Sequence, residues 1–179
     1  MLLETKKGIV LNKCLSKRFP IHSDKPTFSS SQRHPAISCY SLRYIHDNGI
    51  QSETSYPYKA HNGGCRADGT SVARLNDWVN IPSGDENAMM DALGSRGPVA
   101  VGIDVSKPSF RFYSSGIYNE PTCSTSQLNH AVLAVGYGDG YWLVKNSWGT
   151  EWGQDGYVYM TRDGSNQCGI ATNAFYLNV

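Results

Sequence analysis

At 179 residues the chain is long enough for one domain with a hydrophobic core, or for two small lobes sharing an interface. A formal net charge of +1 gives no electrostatic reason for a nucleic-acid or anionic-membrane partner, and no apolar run approaches the roughly 20 residues of a membrane-spanning helix. The 18 glycines and 11 tyrosines, beside only 17% charged residues, suit a turn-rich protein with much β structure better than a helical bundle.

The charge is unevenly spread. Residues 1–36 hold seven Lys or Arg against two acids, a net of +5, which leaves −4 for residues 37–179. This first stretch has little apolar periodicity, crowded serines (Phe28-Ser29-Ser30-Ser31-Gln32) and Pro20, Pro26 and Pro35, so it reads as a basic, disordered leader. It does not read as a secretory signal, because Glu4, Lys6 and Lys7 interrupt the opening leucines and Gly8-Ile9-Val10-Leu11 is too short for an apolar core of about 7–15 residues.

From Ile37 the character changes. Ile37, Tyr40, Tyr44 and Ile45 recur at helical spacing before Asp47-Asn48-Gly49, which predicts a helix over 38–48. A loop-rich stretch follows, from Glu53 to Cys65. Ser83-Gly84-Asp85-Glu86 has capping-box spacing with Ser83 at the cap, Ala88, Met89, Ala92 and Leu93 form an apolar stripe, and Gly94 to Gly97 end the helix. Val99, Val101 and Ile103 alternate as a strand. Further strands are expected over 130–137, 141–145 and 156–161, with a hairpin turn at Gly138-Asp139-Gly140. The pattern predicts an α+β fold, helical in its first part and a sheet or barrel in its second.

Five cysteines (Cys14, Cys39, Cys65, Cys123, Cys168) allow at most two disulfides, and no Cys-x-x-Cys spacing suggests a metal site. His22, His34, His46 and His61 likewise show no ligand spacing, so neither metal nor cofactor is expected.

The chemistry concentrates in the last third. His130 opens an apolar strand, and Asn146-Ser147-Trp148-Gly149 ends the next one across a tight turn. Adjacent strands would bring the Asn146 amide to the His130 ring, fixing its tautomer as a base serving a nucleophile requires. Trp148 could cover that bond.

The run Leu128-Asn129-His130-Ala131-Val132-Leu133-Ala134-Val135-Gly136-Tyr137-Gly138 resembles the histidine motif of the papain-like cysteine peptidases. Tyr141-Trp142-Leu143-Val144-Lys145-Asn146-Ser147-Trp148-Gly149 resembles their asparagine motif, and Cys168-Gly169-Ile170-Ala171 their closing segment. Gly97-Pro98-Val99-Ala100-Val101, Phe110-Arg111-Phe112-Tyr113 and Gly116-Ile117-Tyr118 are similar to the cathepsin L branch. The resemblance runs over residues 37–179. It implies a β-barrel-like right-hand lobe over 78–179, with 37–77 a remnant of the helical left-hand lobe. Residues 1–77 are expected to be marginal, with apolar faces of the helix exposed around Tyr40 and Tyr44.

The resemblance also implies roles. His130 and Asn146 match the catalytic base and its orienting amide. Trp148 matches the shield over their bond, and Trp152 the leaving-group side of the cleft. Gly102, Leu128 and Ala174 match positions around the main apolar specificity pocket. Cys123 and Cys168 match a bridged pair, and Cys65 a half-cystine whose partner is missing, so a free thiol is expected there.

One element does not match. The family's nucleophile lies in Cys-Gly-Ser-Cys-Trp, with His and Asn roughly 130–150 residues downstream, and that pentapeptide occurs nowhere in the chain. Cys14 has no glycine neighbours or helix start to lower its pKa, and Cys39 falls on the helix beyond the family's nucleophile, so neither is a substitute. The expected function is therefore that of a cysteine-peptidase C-terminal domain, inactive by itself, whose partners are peptide or protein substrates or a propeptide-like inhibitor. A non-catalytic homologue binding peptides or propeptides, and a gene-model fragment, are the alternatives. The family usually works in lysosomes or outside cells.

Overall fold

A computed structural model describes residues 36–59 and 65–178, the side chains of 36–40 excepted. The expected leader therefore lies, up to residue 35, outside the described residues, as do Cys14, the Cys39 thiol and the loop at His61-Asn62-Gly63-Gly64.

Helix α1 (Ala36–Asn48) stops where the sequence predicts. Gly49 takes φ +74° and donates its N–H to the Ile45 carbonyl at 2.8 Å, the left-handed helix ending that glycine allows without strain. A Cβ there would also run into Ser71, so this crossing of two segments needs the glycine twice over. Strand β1 (Asp77–Asn80) follows, then helix α2 (Glu86–Ser95), strand β2 (Val99–Ile103) and the one-turn helix α3 (Pro108–Arg111). Strands β3 (Ile117–Tyr118), β4 (His130–Gly138), β5 (Tyr141–Lys145) and β6 (Tyr157–Thr161) lead to a 3₁₀ turn at Gln167–Gly169 and strand β7 (Ala174–Asn178).

The strands form one seven-stranded sheet in the order β1-β7-β2-β4-β5-β6-β3, antiparallel except for the β3–β6 pair. The fold is α+β, as expected. Its main core lies on one face, where Val99, Val101 and Ile103 of β2 meet Val132 and Ala134 of β4, Trp142 and Val144 of β5, and Val158 and Met160 of β6. Helix α2 closes this face with Met89, Ala92 and Leu93, and Phe110, Tyr113 and Tyr118 close its far end. Burying alternate residues of four adjacent strands is the period-2 pattern that the sequence displays.

One expectation needs correction. Ser83 does not cap α2. Asp85 does, its carboxylate accepting the Ala88 N–H at 2.9 Å. Gly84, at φ +81°, turns the chain between them and places Asp85 rather than Ser83 beside the first free amides. Glu86, the expected capping-box partner, is instead buried, and its carboxylate accepts the Trp142 indole N–H (3.2 Å) and the Asn166 N–H (2.6 Å).

Helix α1 packs against the sheet in a second, smaller core. Leu42 and Ile45 are buried against Leu75 and Phe175, with Tyr44, Trp78 and Leu177 packed around them. Strand β7 makes this possible because its two faces alternate, Ala174 and Tyr176 joining the main core and Phe175 and Leu177 the second one. Tyr44 is half-buried, and the Tyr40 side chain lies outside the described residues.

Candidate active site

His130 is the first residue of β4 and pairs with Ile103 at the end of β2. The β4–β5 hairpin turns at Asp139-Gly140, with Gly140 at φ +74°, and its register sets Leu133 opposite Lys145. Asn146 therefore emerges from β5 on the level of the strand end that carries His130. The two side chains meet, with His130 Nε2 2.8 Å from Asn146 Oδ1. The same oxygen accepts the Ser147 backbone N–H at 2.8 Å, which fixes the orientation of the amide. An oxygen accepting that bond cannot donate to the ring, so Nε2 carries the proton and Nδ1 keeps its lone pair.

Asn146 is only 6% exposed. Its Nδ2 is buried with no partner among the described residues. Burial pushes the His130 pKa below its ordinary 6.5, and the bond to Asn146 pulls it only part of the way back. The ring is thus a neutral base near pH 7. The unfolded chain binds its proton first as pH falls below 6.5, so this group lowers stability over the interval from 6.5 down to its native value. An NMR titration of the ring should give a midpoint below 6.5, and urea midpoints should fall between pH 7.5 and 5.5. A midpoint at or above 6.5 would contradict the buried neutral ring.

Around this pair stands an aromatic wall. Trp148 lies over His130 with ring centroids 5.2 Å apart and remains 41% exposed. Trp152 packs edge-on against Trp148 at 5.2 Å and donates its indole N–H to the Arg111 carbonyl at 3.0 Å. Phe110, fully buried, sits behind all three rings, 6.4 Å from His130, 5.6 Å from Trp148 and 5.1 Å from Trp152. Sequence reasoning gave Phe110 no role. The apolar spacing of Phe110 and Tyr113 beside a proline-started turn was the available signal.

Gly102 and Leu128 also come together. A Cβ at Gly102 would stand 3.1 Å from a Leu128 methyl, so the missing side chain makes room for that leucine. Ala174 lies on β7 opposite Val101, and the Gly102 N–H donates to the Asn173 carbonyl at 3.0 Å. All three residues are buried.

Cys123 and Cys168 form a disulfide, with Cα atoms 5.0 Å apart. Cys65 is also disulfide-bonded, which corrects the expected free thiol. That expectation presumed the missing partner of the family pattern.

A family model described as papain family cysteine protease matches residues 34–178. A cathepsin L-like peptidase of Aedes aegypti is 51% identical over 144 residues, covering 76% of this chain and 42% of its own length. Procathepsin L of Rattus norvegicus is 49% identical over 147 residues, covering 76% and 44% respectively. Among solved structures, digestive procathepsin L 3 of the Tenebrio molitor larval midgut superposes with a TM-score of 0.73 at 48% identity, covering 78% of this chain and 47% of that one. The chain thus spans less than half the length of these relatives.

Proposed function

We propose that this chain, which belongs to the papain family of cysteine proteases, carries the base-and-orienting half of a cathepsin L-like peptidase centre and does not cleave peptides by itself. The observation behind this reading is the 2.8 Å bond between His130 Nε2 and Asn146 Oδ1, which leaves Nδ1 as the basic atom. In the reaction this arrangement fits, a thiol transfers its proton to Nδ1 and the thiolate attacks the substrate carbonyl. The imidazolium then returns the proton to the leaving amine. A thiolate beside the ring would raise the depressed His130 pKa and stabilise that ion pair.

In this reading the thiol comes from outside these 179 residues, since neither Cys14 nor Cys39 sits in the family's nucleophile motif. Cys123, Cys168 and Cys65 are tied up in bridges, and no Cys-Gly-Ser-Cys-Trp is present. In this reading residues 78–179 are the barrel-like lobe and 37–77 a remnant of the helical one. Gly102, Leu128 and Ala174 floor a pocket for a bulky apolar side chain, Trp148 covers the His130–Asn146 bond, and Trp152 flanks the leaving group. Substrates are peptides or proteins.

The purified 179-residue protein should show no cleavage of a Phe-Arg fluorogenic peptide above that of its His130→Ala variant. Joined behind the thiol-bearing segment of a cathepsin L-like relative, the same residues should hydrolyse the peptide, and His130→Ala should then reduce the rate by about 10²–10⁴-fold. His130-dependent cleavage by the isolated chain would overturn the inactive reading. A folded chimera insensitive to His130→Ala would overturn the base assignment.

A further inference from the structure

The residue before His130 is held from three directions, and all three lead to one place. The Asn129 N–H donates to the Ile103 carbonyl at 3.0 Å, and its Oδ1 accepts the Val105 N–H at 2.9 Å. Its Nδ2 donates to Asp104 Oδ1 at 3.1 Å. Asp104, only 3% exposed, also accepts the Ser106 N–H (2.9 Å) and hydroxyl (3.1 Å), and its Oδ2 accepts the Ser124 N–H at 2.7 Å. Its own N–H donates to the Cys168 carbonyl at 2.9 Å. One buried carboxylate thus ties the end of β2, the loop beside Cys123 and the entry to β4, and the Asp104 backbone adds the 3₁₀ turn.

We propose that Asp104 is a positioning residue for His130, acting through Asn129 to hold the start of β4 where the imidazole meets Asn146. The inference rests on the reading of His130 as the base. A simple fold-stabilising role would require only the bonds to Ser106 and Ser124. The bond to Asn129 adds a direct mechanical link to the neighbour of the base. A carboxylate suits the task because it accepts on both oxygens and donates from neither, and four donors converge here. Burial alone would raise the Asp104 pKa, yet these hydrogen bonds bring it below the ordinary 3.8, so the accepting form persists over the whole neutral range.

The test follows the His130 ring by ¹⁵N NMR in the full chain at pH 7.5. The wild-type ring should show a single tautomer with a protected Nε2 proton. Asp104→Ala should accelerate exchange of that proton by about tenfold or more and mix the tautomers, and Asp104→Asn, which retains an acceptor for Asn129, should recover part of the loss. Asn129→Ala removes the side-chain bonds to Asp104 and to the Val105 N–H but none of those that Asp104 accepts from Ser106 and Ser124, so it should reproduce the ring effect while leaving the exchange of the Ser106 and Ser124 amides protected. Should Asp104→Ala fail to fold, Asn129→Ala decides the question. A protected wild-type ring that Asn129→Ala leaves unchanged overturns the positioning role alone. A wild-type ring with no protected Nε2 proton overturns it together with the assignment of His130 as base.

Discussion

Replacing both Cys123 and Cys168 with alanine is expected to lower the stability of the chain by about 4 kcal/mol. The bridge spans 45 residues, and closing a loop of that length removes that much chain entropy from the unfolded ensemble in the entropic account. For a domain whose total stability is on the order of 5–15 kcal/mol, the loss is a large share. It corresponds to a fall in Tm of about 8–16 °C for a chain of this size. Alanine is the substitution to use because Cys168 is fully buried and a serine hydroxyl there would add a desolvation cost of its own. The effect should extend beyond stability. Ser124, next to Cys123, and the carbonyl of Cys168 are both bound to Asp104, so the bridge fastens two of the segments that meet beside His130. Urea unfolding of the double variant measures the first effect, and a loss below about 1 kcal/mol would show that other contacts already restrict the unfolded chain.

How far the site could be read in the sequence depended on whether its residues lie on one local device. His130 and Asn146 stand at matching ends of two strands joined by the turn at Asp139-Gly140, so their meeting follows from hairpin register and was legible. The strands Val99–Ile103 and Tyr141–Lys145 were equally plain, since Val99, Val101 and Ile103 in the first and Trp142 and Val144 in the second recur with period 2. Strand Ala174–Asn178 was not, because it buries apolar residues on both faces and so displays no alternation. Strand Ile117–Tyr118 is too short to display any pattern. The helix cap moved from Ser83 to Asp85 because a left-handed Gly84 intervenes, which residue spacing does not reveal. Asp104 escaped notice for a different reason: its four donors come from Ser106, Ser124 and Asn129, and only the loop path after β3 brings the last two to it.

Phe110→Ala is expected to cost about 3–5 kcal/mol and to loosen the site in the same step. The ring is fully buried and touches Tyr118 edge-on at 5.3 Å on one side and the Trp148–Trp152 pair on the other. Truncation therefore removes a large apolar side chain together with aromatic contacts worth about 0.5–1.5 kcal/mol each beyond area burial. The surroundings cannot collapse freely into the void. Trp152 is tethered by its indole N–H to the Arg111 carbonyl, and the Tyr113 hydroxyl donates to the Gly116 carbonyl at 2.6 Å. Among the described residues the Trp148 indole makes no such hydrogen bond, and it is the ring lying over His130. Its freedom should therefore grow most, exposing the His130–Asn146 bond to water and moving the His130 pKa up toward 6.5 as desolvation weakens. Phe110→Leu, which refills most of the space without an aromatic ring, should recover much of the stability and little of the ring order around His130. Urea unfolding reads the first effect and the NMR titration of the imidazole reads the second. A Phe110→Ala protein that loses stability while its His130 midpoint stays at the wild-type value would show that the histidine is held by β4 and Asn146 alone, and that the aromatic wall serves only the core.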